Sequence, residues 1–193
     1  MTQQPQIKYR HDYRAPDYTI TDIDLTFELD ASTTRVTAIS QVKRVGDSQA
    51  ELRLDGEALT LIALEVDGQP WTAFREEEGA LVISQLPDSF TLKIINVIHP
   101  DQNTALEGLY TSGEALCLQC EAEGFHHITW YLDRPDVLAR FSTTIYADKQ
   151  RYPYLLSNGN RIDAGELDNG QHWIKWQDPF PKPCYLFALV AGD

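Results

Sequence analysis

Ile23-Asp24-Leu25-Thr26-Phe27-Glu28-Leu29 sets an apolar residue at every second position, with acidic or hydroxyl side chains between. Successive side chains of a strand point to opposite faces, so this stretch reads as a strand with one face in a core and one toward water. Similar runs recur at 36–44, 59–66, 80–84 and 90–98, separated by turn signals at Asp55-Gly56, Asp67-Gly68, Gly79 and Pro87. The second half repeats the pattern at 114–121, 140–147, 152–157, 171–176 and 184–190, with Asn158-Gly159 and Asn169-Gly170 as hairpin-type turns. Strands at this spacing predict an all-β fold, a sandwich-like assembly of mostly antiparallel sheets. One short helix is expected at 133–139, where Asp133 is placed to cap and Pro135 to enter the first turn. The apolar run at the end reads as a central strand, which either completes the sheet or marks a boundary in a longer protein.

A chain of 193 residues is long enough to bury a full core, and a single domain over 1–193 is expected. The hydrophobic fraction of 42% is that of an ordinary globular protein, which sets disorder aside beyond the first few residues. Sixteen Lys and Arg against 29 Asp and Glu leave 16 − 29 = −13, a balance that repels phosphate backbones and anionic lipid. Nucleic acid is therefore not an expected partner. The odd count of three cysteines argues against a secreted disulfide framework. No stretch approaches ~18 apolar residues, and the opening residues lack a signal-peptide core. A cytoplasmic protein is expected, with the inner-membrane periphery as the other placement.

Cys117 and Cys120 match Cys-x-x-Cys, which serves zinc and redox sites, but residues three apart in a straight strand face opposite sides. Half-buried structural cysteine is the better reading, and no metal ligand is assigned in this chain. Strand alternation would align Gln119, Glu121 and Glu123 on one face, with Cys120 and Ala122 on the other. By pattern alone such a row is a solvent-facing surface. A carboxylate beside an amide is also the chemistry that binds a cationic amine. His126-His127, read as strand neighbours, point apart, and no carboxylate is placed to orient them. Glu76-Glu77-Glu78 reads as a solvated turn, and Trp130, Tyr131, Trp173 and Trp176 as packing. The five histidines are never four apart, so His-Glu-x-x-His is absent, as are Gly-x-Ser-x-Gly and a phosphate loop. No catalytic residue is expected in this chain.

Residues 105–125 (ALEGLYTSGEALCLQCEAEGF) and 127–141 (HITWYLDRPDVLARF) resemble the amino-terminal domain of the bacterial aminopeptidase N family of gluzincin metallopeptidases. So do 8–18 (KYRHDYRAPDY), 155–160 (LLSNGN) and 178–193 (DPFPKPCYLFALVAGD), and the resemblance spans essentially the whole chain. It implies a curved, saddle-like β domain that is one part of a much longer enzyme and packs against its own catalytic domain. That catalytic domain would supply the zinc cofactor, the His-Glu-x-x-His helix and the catalytic tyrosine, with no metal held here. The family's Gln-Cys-Glu-Ala segment is matched by Gln119, Cys120, Glu121 and Ala122. By that resemblance Glu121 binds the free α-amine of a peptide substrate and Gln119 lines the pocket for the first side chain. The related leukotriene A4 hydrolases show Gln-Cys-Gln here, so Glu121 favours a plain aminopeptidase. The rival expectation is a free-standing β-sandwich binding module.

Overall fold

The computed structural model describes residues 9–193. Of the opening stretch 1–18, which lacks a signal-peptide core, residues 1–8 lie outside that range. Fifteen strands follow in chain order among the described residues. The first are β1 (Tyr18–Glu28), β2 (Thr34–Arg44), β3 (Leu52–Asp55), β4 (Thr60–Val66) and β5 (Gln69–Pro70). Next come β6 (Phe74–Glu77), β7 (Ala80–Ile83), β8 (Ser89–Ile98), β9 (Gly108–Ser112) and β10 (Ala115–Gln119). The last are β11 (Ala139–Asp148), β12 (Tyr154–Ser157), β13 (Asn160–Glu166), β14 (Gln171–Lys182) and β15 (Leu189–Gly192).

They form three open sheets, none closed into a barrel: eight strands in the order β13-β14-β11-β1-β2-β8-β4-β5, four as β12-β15-β10-β9, and three as β3-β7-β6. Every pairing is antiparallel except β1 with β11, which joins the two halves of the chain side by side. The alternation at 23–29 behaves as its pattern requires, with Ile23, Leu25 and Phe27 fully buried on the core face of β1. The Asp67-Gly68 hairpin has positive φ at both central residues, the type I′ geometry that matches strand twist.

An aromatic cluster ties the large sheet to the short segments that carry the site. Phe187 lies 6.2 Å from Phe27 on β1, 5.5 Å from Phe141 on β11 and 5.6 Å from Phe125. Phe125 meets Tyr131 edge-on at 4.7 Å. Each ring buried this fully contributes about 1.5–3 kcal/mol, so the cluster holds these segments firmly against the sheet. The buried Asn96 of β8 donates to the Ile128 carbonyl at 2.8 Å, and Asp55 exchanges two backbone hydrogen bonds with Tyr131.

Four local expectations are corrected. Residues 133–139 form no helix; a turn closed by Val137 N–H on the Arg134 carbonyl leads straight into β11. Residues 184–190 are not one strand: a 3-10 turn, Cys184–Leu186, precedes β15, which does lie centrally in its sheet. Asn158-Gly159 is no hairpin, because β12 and β13 belong to different sheets. Gly159 adopts φ +88 and lies so close to β14 that an added Cβ would sit 2.2 Å from the Gln177 carbonyl oxygen. Glu76 and Glu77 belong to β6, where Glu77 pairs with Arg53 and Arg75.

Candidate functional site

β10 ends at Gln119, which pairs with Gly108 of β9, and the chain then turns through 120–124. Cys120 is fully buried, whereas Gln119 and Glu121 on either side are exposed. The expected alternation therefore continues two residues past the strand, through Glu121. It fails at Ala122, which is also exposed, because the segment is by then a turn closed by Gly124 N–H on the Cys120 carbonyl at 2.8 Å. The Glu121-Ala122 peptide is cis. The Gln119 amide donates to the Glu121 backbone carbonyl at 3.3 Å, which ties the two predicted site residues into one unit. Glu123 does not continue their face; it lines a groove of about 920 Å³ together with Asp55, Glu57, His126 and Asp133.

Glycines make this approach of chains feasible. Gly108 adopts φ +72, and a Cβ there would stand 2.7 Å from Cβ of His127; at Gly124 it would meet the Gln119 carbonyl oxygen at 2.7 Å. A side chain at either position would push the Gln119 end of β10 away from the Phe125–His127 turn.

The histidine pair differs most from its sequence reading. Phe125–His127 is a 3-10 turn and not a strand, so the two rings lie together, 4.5 Å between centroids. Carboxylates do orient them. Asp133 Oδ2 accepts from both the backbone N–H and the Nδ1 of His126, at 3.0 and 2.8 Å, and Glu107 Oε2 lies 3.3 Å from His127 Nε2. The other oxygen of Asp133 accepts from the buried Cys184 thiol at 3.0 Å. Burial alone would raise the Asp133 carboxyl, but the donors His126 and Cys184 hold it below the usual carboxylate range. The Asp133 bond raises His126, whereas burial lowers His127. Burial, with Asp133 alongside, pushes the Cys184 thiol far up, and burial does the same to Cys120. All three cysteines are free.

Glu57 was not a sequence candidate. Its backbone N–H donates to the His126 carbonyl at 3.2 Å, and it joins His126 and His127 in a cluster of ligand-capable groups. Only the topology could reveal this, since Glu57 follows β3 and the histidines follow β10. The His-Glu-x-x-His donor set of a catalytic zinc is absent from this chain's sequence.

Residues 16–186 match the model of the peptidase M1 N-terminal domain. Over all 193 residues the chain is 74% identical to aminopeptidase N of Escherichia coli, spanning 22% of that protein. It superposes on the aminopeptidase A structure of Legionella pneumophila, solved with aspartic acid, with a TM-score of 0.91 and 35% identity, covering 96% of this chain and 22% of that one. An M1 zinc metallopeptidase of Deinococcus radiodurans with a bound Tyr-Ser-Ala substrate shares the fold, with a TM-score of 0.78 at 15% identity over 91% of this chain and 42% of that one. The chain thus spans about a fifth of the length of the curated aminopeptidases it matches.

Proposed function

Because this chain belongs to the peptidase M1 N-terminal domain family, we propose that it is the amino-terminal part of a zinc-dependent aminopeptidase and anchors the free amine of a peptide substrate. Glu121 accepts hydrogen bonds from the substrate ammonium, and Gln119 lines the pocket for the first side chain. The observation that carries this is the unit itself: a carboxylate and an amide exposed side by side, tied by the Gln119 to Glu121 hydrogen bond and rooted by the buried Cys120 between them. An exopeptidase must fix the ammonium so that the first peptide bond alone reaches the reacting water. Zinc, in this reading, is held by the catalytic part of the longer enzyme, and the whole works in the cytoplasm. None of the described helices is long and apolar enough to cross a membrane.

The partner of this domain is its own catalytic domain. Register places Leu156 opposite Val190, Val190 opposite Cys117, and Cys117 opposite Tyr110, so one row crosses all four strands of the small sheet. None of the four is buried, and Tyr154 beside Leu156 is 63% exposed. An apolar row of this kind on a sheet face suits coverage by a neighbouring domain. The function is tested with amino-acid p-nitroanilides: the longer enzyme should turn them over and the purified 193-residue chain should not. Turnover by the pure chain would overturn the reading.

A further inference from the structure

Glu57, His126 and His127 come from two distant stretches, and their ligand-capable atoms all lie within 4.8 Å of one another. Glu57 is exposed and both histidines are half-buried, so a solvated ion can reach them. The backbone beneath them is fixed by Glu57 N–H on the His126 carbonyl and by Asn96 on the carbonyl of Ile128. The rings are set as well. A carboxylate can only accept, so Asp133 at 2.8 Å fixes Nδ1 of His126 as the protonated nitrogen and leaves Nε2 its lone pair. Glu107 stands behind one nitrogen of His127 at 3.3 Å, leaving the other as a base. A carboxylate behind an imidazole is the arrangement that orients metal-binding histidines and raises their basicity.

We propose that Glu57, His126 and His127 bind one divalent transition-metal ion, with two imidazole nitrogens and a carboxylate oxygen as its protein ligands. Two nitrogens with one oxygen suit zinc, cobalt, nickel or copper and not calcium or magnesium, which take oxygen ligands. Around an ion with bonds near 2.0–2.2 Å, tetrahedral ligands stand about 3.4 Å apart. With every ligand atom within 4.8 Å of the others, no pair in the trio must draw in by much more than an ångström. The remaining positions would be taken by water. Asp55 and Asp133, which line the same groove as Glu57 and His126, add a negative field that favours a dication.

Cobalt(II) titration of the 193-residue chain, followed by visible absorption, tests this with a probe whose bands report its ligands. The expected result is saturation at one equivalent, with ligand-field bands and no thiolate-to-metal charge transfer, since no cysteine belongs to the trio. Glu57→Gln and His127→Gln should each weaken binding by roughly tenfold or more. Absence of saturable binding, a thiolate band, or unchanged affinity in both variants would overturn the proposal. Should His127→Gln lower the melting temperature, Glu57→Gln, made at an exposed residue, decides alone.

Discussion

Asp133 holds His126 through a 2.8 Å hydrogen bond between Oδ2 and Nδ1, with the carboxylate side chain only 4% exposed. This short contact joins the turn after β10 to the segment entering β11, and the Cys184 thiol on the other oxygen adds the approach to β15.

Asp133→Asn should therefore destabilise the fold. An amide offers only one acceptor oxygen, so either Cys184 or His126 loses its partner and the Asn NH₂ faces a donor. Hydrogen bonds to a charged group are worth about 1.5–3 kcal/mol, and a loss of that order is expected. Urea denaturation of wild type and variant measures it. Equal midpoints with equal slopes would show that the carboxylate bears no structural weight.

The strands were legible wherever burial is one-sided: Ile23, Leu25 and Phe27 alternate because the large sheet has a core face, and β8 reads equally well. Residues whose signals serve two structures were not. Asp133 and Pro135 are cap and first-turn residues by type, but Asp133 is engaged by His126, Cys184 and Asp55, and those contacts turn the chain toward β11. His126 and His127 read as strand neighbours because their carboxylate partners lie elsewhere in the sequence. Gln119 and Glu121 are both exposed, as the alternation predicts; that Glu123 leaves their face follows from the turn at 120–124, which no periodicity encodes.

Thiol reactivity should separate the cysteines. Cys117 is half-buried on the small sheet, whereas Cys120 and Cys184 are each only 1% exposed and their thiols are pushed up by burial. Since the thiolate is the reacting form, iodoacetamide should modify Cys117 first and the other two only on unfolding. Peptide mapping by mass spectrometry reads the order. If the catalytic domain docks on that row as proposed, Cys117 should become protected in the longer enzyme; rapid labelling in both would contradict the docking surface.

Acid should loosen the segment before β1. Tyr13 donates to Asp136 at 3.0 Å, and Arg134 binds both Asp136 and the Arg14 carbonyl. The Arg134 guanidinium holds the Asp136 carboxyl below its usual range. A depressed carboxyl contributes stability that is present above its unfolded value and lost as pH falls through the folded one. The contact should therefore persist at neutral pH and be lost below about pH 4. Tyr13 ring resonances across that titration report it. At neutral pH Asp136→Asn should hasten tryptic cleavage after Arg14, and an unchanged rate would count against the clamp.

If Glu121 anchors the substrate as proposed, Glu121→Gln in the longer enzyme keeps the shape of the side chain but removes the charge that would face the substrate ammonium. Charge-assisted hydrogen bonds are worth about 1.5–3 kcal/mol, and ~1.4 kcal/mol is a factor of ten in rate, so kcat/KM should fall by roughly ten- to a hundredfold or more. Part of the loss should appear in kcat, because the anchor also sets where the first peptide bond lies. The exposed position of Glu121 means that stability should hardly change, which separates a binding defect from a folding one. Glu123→Gln is the matched control: only two residues away, it lines the neighbouring groove with His126 and should cost much less. Wild-type kinetics for Glu121→Gln, with fold and zinc intact, would remove the carboxylate from the substrate site, because no charge would then be needed where the ammonium is held.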